Sequence, residues 1–593
     1  MSSACELRER PPLVTRAAIR PACALLLYVG LVVWLTWPLA SNLTTRLPYT
    51  QEACRYDTLN ITWVLSYESH CLTTDPFGCL DANIYYPARK TLFYGVTGLA
   101  ALPYFMPTFL LTGNPALALN LVFLGSLVLT ACALHFVVWK WTCSHLAGFI
   151  AAWTILTSRW VLWWFVPTNP SYAVMQYFPL IILFASTPAE RFLDALKLVP
   201  LVAAQCLSDP IYVATAVIVP LLCIAVVRLA RPGTRRAGLL LLTGVGLALL
   251  MLAPVYAGYL VVRLRDPEVG QHTYWRSGVI ATLLPWGPLG RQDSPTAVAF
   301  VVPLLVIAGA LGLALRRKSG PFDPSRNGWA HAALWTAVAF VASLTPTVQW
   351  YLTPVRLPQV VLRDWSPLYQ FLRSPERVAI GALVGLSLLA GTAFAECTRR
   401  LHGSRLAACG RLLAALAIVT TMYLEYSRSA LEPRPVRRKP LPREYALARA
   451  IQPSSRLIEI LRRSGGPLLE LPAGHRDDPL WPVSHARAMY RSIFHWQKLL
   501  NGYHSYWPLG FPERMALASR LPERQALDSL RRQTGLEMIL VHTRSLRGNQ
   551  RRIWHTVERR GGSDGLELIA RDGGDLLFRI STSVPGAQMG AAR

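Results

Sequence analysis

Charge is scarce in this chain, and negative charge is scarcest: its 593 residues hold 33 Asp and Glu against 60 Lys and Arg, and only 16% are charged. That scarcity, beside 52% hydrophobic residues, excludes a disordered polymer and argues against an ordinary soluble protein of this size. Only six of the cations are lysines, and the arginines are spread along the whole length instead of forming one basic stretch. No nucleic-acid partner is expected from such a distribution. The sequence also lacks a P-loop, H-E-x-x-H, G-x-S-x-G and C-x-x-C. ATP hydrolysis, zinc proteolysis, serine hydrolysis and dithiol redox chemistry are therefore without local support.

What is present is lipid-compatible sequence. Apolar runs close to the ~20 residues that cross a bilayer recur at 22–39, 116–139, 147–166, 172–187, 194–208, 211–229, 237–262, 297–315, 329–347, 378–396 and 409–427. The first follows Arg8, Arg10, Arg16 and Arg20 and has no small-x-small cleavage site after it, so it reads as a retained anchor. A twelfth run, 99–111, is short and holds Pro103 and Pro107, which suits a re-entrant or interfacial helix better than a span.

Eleven spans place the clusters Arg228/Arg231/Arg235/Arg236, Arg316/Arg317/Lys318 and Arg399/Arg400/Arg405 on the cytoplasmic side with the N-terminal arginines. Counting the short run would invert all three. The expected organisation is therefore a transmembrane domain, 1–427, with a large first outer loop, 41–97. A Pro-rich charged linker follows at 428–440, then an extracytoplasmic α/β domain at 441–582 and a disordered tail at 583–593. Within that domain a helix is expected over 445–463, with strands at 468–471, 538–542, 566–570 and 576–580.

The outer loop carries the acidic residues Glu52, Asp57, Glu68, Asp75 and Asp81 among aromatics. Asp57 opens a stretch that reads as an interfacial helix with Asp57 as its N-cap. Glu68 and His70 lie further along it and are weaker catalytic candidates. Asp81 begins Asp81-Ala82-Asn83-Ile84-Tyr85-Tyr86-Pro87, read as a turn against the membrane with Tyr85 and Tyr86 at headgroup depth, so a structural role for Asp81 ranks above a chemical one. Glu52 and Asp75 have no motif around them. Most of the eleven cysteines sit in or beside apolar runs, but Cys54, Cys71 and Cys79 share the outer loop, where one bridge can form; the spacing does not choose the pair. Asp209, in Ser208-Asp209-Pro210 between two spans, lines an outer cavity or makes a turn.

The order of a first span, an outer loop with an early acidic residue, D-A-N-I-Y-Y-P at 81–87 and Gly113-Asn114-Pro115 before a long span resembles the bacterial polytopic type C glycosyltransferases, YfhO-like members included. The likeness continues at Phe371-Leu372-Arg373-Ser374-Pro375-Glu376-Arg377-Val378, Leu468-Leu469-Glu470-Leu471-Pro472 and Leu500-Asn501-Gly502-Tyr503, and so covers most of the chain. It implies a mainly α fold, a polytopic membrane helix bundle with a C-terminal α/β domain. It also implies transfer of a sugar from a polyprenyl-phosphate donor to a glycan or lipid acceptor at the outer face of a bacterial cytoplasmic membrane. The family's early acidic position falls on Asp57, the candidate base, and its late-loop pattern on Arg373 and Arg377, with Arg363 nearby, as candidate ligands of the donor phosphate. The chain reads Tyr56-Asp57-Thr58 where the family has Gly-Asp-Pro, and it lacks Asp-x-Asp, which leaves a divalent cation open. No other cofactor is expected. The competing readings are a flippase for a lipid-linked saccharide, which would need ionisable residues near mid-membrane, and a non-catalytic scaffold.

Overall fold

The computed structural model describes residues 14–48, 55–266, 296–316, 323–344, 347–350, 353–357, 359, 361, 374–401, 404–427, 444–474 and 481–581. The chain divides into two units: 1–51, 98–257 and 270–448, and 52–97, 258–269 and 449–593. The expected linker and tail, together with Glu52, Cys54, Arg363 and Arg373, lie outside the described residues.

The first unit is helical. Asn114 accepts the Leu117 N–H at 2.9 Å and Pro115 takes the first helical position, starting the helix Pro115–Thr142. Ser144 likewise caps His145–Leu156, and Asp323 caps Pro324–Ala342 through the N–H groups of Ser325 and Arg326. Small residues let these helices pack closely. A Cβ on Gly391, in Ile380–Cys397, would stand 2.6 Å from the Ala147 carbonyl oxygen, and one on Gly309 would stand 2.5 Å from the Ala393 Cβ.

Each of the eleven expected spans contains helix. Among the described residues, five helices are long and apolar enough to cross a membrane: Pro115–Thr142, Tyr212–Ala230, Pro232–Arg265, Pro375–Cys397 and Arg405–Ser427. Ala22–Leu35, His145–Leu156, Tyr177–Ser186 and Val301–Leu315 are apolar and shorter. The run expected at 147–166 is interrupted: its helix ends at Leu156, and it resumes as one π turn, Trp160–Trp164. The short run at 99–111 is the helix Leu102–Thr112, whose 11 residues at ~1.5 Å each fall far short of a bilayer.

The second unit joins two regions that the sequence reading assigns to separate domains. Its five-stranded sheet runs in the order Leu468–Leu471, Met538–His542, Asp575–Ile580, Leu566–Asp572, Gly562–Ser563; the first pair is parallel and the others antiparallel. The four expected strands are present. Beside the first strand, Leu468 N–H donates to Lys498 O and Leu500 N–H to Leu468 O, while Leu499 N–H donates to Asn83 O and Tyr85 N–H to Asn501 O. Residues 83–86 of the first loop thus hydrogen-bond to a segment that itself extends the C-terminal sheet. The helix Arg55–Thr74 packs on Trp481–Ser492, with the Trp63 indole donating to the Ser492 hydroxyl at 3.1 Å.

Several expectations are corrected here. The helix begins at Arg55, two residues before Asp57, so Asp57 lies in its first turn and is not the N-cap. It is not an interfacial helix: residues 58–69 are buried on every side, because its apolar residues build this unit's core. Tyr85 is fully enclosed by protein: its backbone N–H pairs with Asn501 O and its ring meets Phe511 edge-on. The helix expected over 445–463 is only Ser455–Arg463; Pro453 breaks it, Ser454 caps it, and Tyr445 is instead tied by its N–H to Trp37 O.

Candidate functional site

Five acidic residues of the first loop meet different fates. Asp57 is half-buried at the start of Arg55–Thr74, where the helix dipole favours a carboxylate, and its Oδ1 accepts the Tyr503 O–H at 2.9 Å. The Tyr56 ring meets the Tyr503 ring edge-on at 5.1 Å. Glu68 is buried, neither carboxyl oxygen has a hydrogen-bond partner among the described residues, and burial pushes its pKa well above the ordinary range. Enclosed by protein, it is a poor candidate for contact with substrate. Asp75 Oδ1 accepts the Gly78 N–H at 3.0 Å, inside the small loop closed by a Cys71–Cys79 disulfide. Asp81 Oδ1 accepts the Lys90 N–H at 2.7 Å, closing the turn expected of it. Glu52 lies outside the described residues.

His70 stacks on Trp496 with ring centres 4.3 Å apart, and burial lowers its pKa. That contact is a packing role beside the helix end.

The other sequence candidates belong to the first unit. Arg377 sits in the 3-10 turn Pro375–Ala379 with its guanidinium over the rings of Phe165 and Tyr212, at 4.5 and 5.3 Å. Asp209 is buried; it accepts the Tyr172 O–H at 2.6 Å and the N–H groups of Ile211 and Tyr212 at 2.9 and 2.7 Å, so it heads the helix Tyr212–Ala230 as a turn residue.

Two features escaped the sequence reading. One is Tyr503, which stands in the quoted Leu500-Asn501-Gly502-Tyr503 motif but is 446 residues from the carboxylate it holds. The other is a buried charged chain: Arg491 donates to Glu470 Oε2 at 2.7 Å, His542 Nε2 lies 3.1 Å from the same oxygen, and His542 Nδ1 lies 2.8 Å from Asp575. Burial works to raise the Glu470 pKa, but Arg491 and His542 hold it down at about 2. A lone Glu inside the strand Leu-Leu-Glu-Leu was the available signal. Among the described residues no group of three or more His, Cys, Asp or Glu is arranged to hold a metal ion.

No protein-family model matches the sequence, and no curated protein matches it. Solved structures do. Arabinofuranosyltransferase AftD from Mycobacteria matches with a TM-score of 0.50 at 15% identity, over 97% of this chain and 40% of that one. The chain thus spans well under half the length of that enzyme. The Archaeoglobus fulgidus oligosaccharyltransferase matches more loosely, with a TM-score of 0.43 at 10% identity over 88% of this chain and 68% of that one. The first match shows a fold similar to that of AftD, in a chain that is mainly helical and holds, among the described residues, five helices long and apolar enough to cross a membrane.

Proposed function

We propose that the chain is a membrane glycosyltransferase that moves a hexosyl or pentosyl group from a polyprenyl-phosphate donor to a cell-envelope acceptor, with Asp57 as the general base. The observation that carries this reading is the sorting of the first-loop acids. Among the described ones, Glu68 is sealed in, Asp75 and Asp81 close turns, and Asp57 alone is a half-buried carboxylate held by a side-chain hydroxyl at a helix start. The fold resemblance supports it at the level of architecture.

The chemistry is one displacement. The acceptor hydroxyl gives its proton to Asp57 as its oxygen bonds to the anomeric carbon, and the bond from that carbon to the lipid phosphate oxygen breaks, so the configuration inverts. The departing phosphate gains charge and needs cations, a role proposed for Arg377 and for Arg363 and Arg373. The arginine clusters favour an arrangement in which the first loop and the C-terminal domain face outward across a bacterial cytoplasmic membrane.

Two experiments in the source cells test the reading. Deleting the chain should change the envelope glycan profile, and Asp57→Ala at equal protein level should reproduce that change. A wild-type profile in Asp57→Ala beside a changed one in the deletion would favour a flippase or a scaffold. A reporter fused after Arg438 should be active only outside the cytoplasm; activity inside would overturn the orientation.

A further inference from the structure

The Asp57 carboxylate takes a hydrogen bond from a side chain 446 residues away in the sequence. A carboxylate in the first turn of a helix can rotate about its side-chain bonds, and a general base loses efficiency when its lone pair is not aimed at the proton it takes. In this fold the C-terminal segment supplies one constraint on that rotation. The side chain of Asn501 closes on the backbone of Glu470 from both sides: its Oδ1 accepts the Glu470 N–H at 2.8 Å, and its Nδ2 donates to the Glu470 carbonyl at 2.9 Å. That clamp fixes the chain to the first sheet strand at Asn501. Gly502 comes next, pressed so closely on Tyr85 that a Cβ there would stand 2.4 Å from two of its ring carbons. Tyr503 then has its N–H on Met489 Sδ at 3.0 Å, its ring against Tyr56, and its O–H on Asp57 Oδ1. Every step of Asn-Gly-Tyr thus has a separate mechanical reason.

We propose that Tyr503 is the positioning residue of the reaction, delivered by the Asn501 clamp and the Gly502 contact, and that it fixes the Asp57 carboxylate in the orientation that takes the acceptor proton. This rests on the reading of Asp57 as the base. Tyr503 itself neither accepts nor loses the transferred proton. Its O–H stays on Oδ1 throughout, and the acceptor proton goes to Asp57.

Tyr503→Phe removes one oxygen and leaves the ring packing on Tyr56, so it isolates the hydrogen bond. With the full chain in lipid nanodiscs and a panel of polyprenyl-phosphate-linked hexoses and pentoses as probes, Tyr503→Phe should lower kcat by about 100-fold, the scale of a misplaced reacting group. The KM for the donor should stay within about twofold, because the donor is not bound by this hydroxyl. An unchanged kcat in Tyr503→Phe while Asp57→Asn is inactive overturns the proposal alone; full activity in Asp57→Asn overturns the underlying reading. A thermal cycle of Asp57→Ala, Tyr503→Phe and the double variant decides the contact without turnover. Shifts in Tm that are less than additive support the bond, and additive shifts refute it.

Discussion

Acid should open the second unit before any carboxylate chemistry intervenes, because three histidines are buried there in the neutral form. Burial pushes His485 and His495 down to about 4 and His504 to about 3, from an ordinary value of 6.5. His485 meets Gly474 O through Nε2 and the Asn501 side-chain amide and Gly502 N–H through Nδ1, His495 accepts the Gln497 N–H, and His504 has no hydrogen-bond partner among the described residues for either ring nitrogen. In the unfolded chain each takes a proton below about pH 6.5, whereas in the folded chain it does not until pH 4 or lower. Stability is therefore full above pH 7 and falls as pH drops from 6.5 towards 4. At 1.36 kcal/mol per unit, lowering the pH from 7 to 5 costs roughly 2 kcal/mol for each histidine and at most about 5.5 kcal/mol for the three. A domain's whole stability is about 5–15 kcal/mol, so the effect should be large. Hydrogen exchange of the full chain, followed on the amides of Leu468–Leu471 and Trp481–Ser492 and corrected for intrinsic rates, should show the opening free energy falling by that order. His504→Phe, which replaces a ring lying near Trp63 and Tyr85 and breaks no hydrogen bond, should remove about a third of the slope. A change under about 1 kcal/mol between pH 7 and 5, or an unaltered slope in His504→Phe, would refute the argument.

Other outcomes follow from single contacts. Arg491→Met leaves Glu470 buried without its cation and should cost about 3–5 kcal/mol in chemical denaturation, with Arg491→Met/Glu470→Leu nearer the wild type. Reducing the Cys71–Cys79 bridge, which closes a loop at a sequence separation of 8, should cost roughly 2.5 kcal/mol locally and expose two maleimide-reactive thiols. In the first unit, Gly391→Ala must displace the Ala147 carbonyl and should lose about 1–3 kcal/mol, while Gly246→Ala, with nothing within 4 Å of the added carbon, should leave Tm in detergent unchanged.

Local signals were the legible part of the fold. Short strand-like runs placed the strands at 468–471 and 538–542 to the residue, and apolar runs found a helix in each expected span. Where a proline competes with the helix ladder, as at Pro453, the sequence pattern overstated helix length. The helices Phe511–Ser519, Arg524–Thr534 and Gly548–Arg559 are short and are not among the expected elements. What no local pattern carries is pairing across hundreds of residues. The first loop looked like an interfacial segment because its apolar face is sized for lipid or for a protein core alike; the pairing with Leu499 and Asn501 of the C-terminal segment decides between them. The same holds at the site. Asp57 ranks first because the family resemblance puts its early acidic position there, but Tyr503, whose hydroxyl bonds to it, lies in a motif whose meaning depends on the fold.

Turnover by the reconstituted chain tests the central claim most directly. With polyprenyl-phosphate-linked hexoses and pentoses in nanodiscs and a glycan acceptor mixture from the envelope, the wild type should release polyprenyl phosphate from at least one donor. Asp57→Asn, folded to the same Tm, should do so at least about 100-fold more slowly. Equal rates for the two proteins, whether both measurable or both nil, would contradict a glycosyl transfer in which Asp57 takes the acceptor proton.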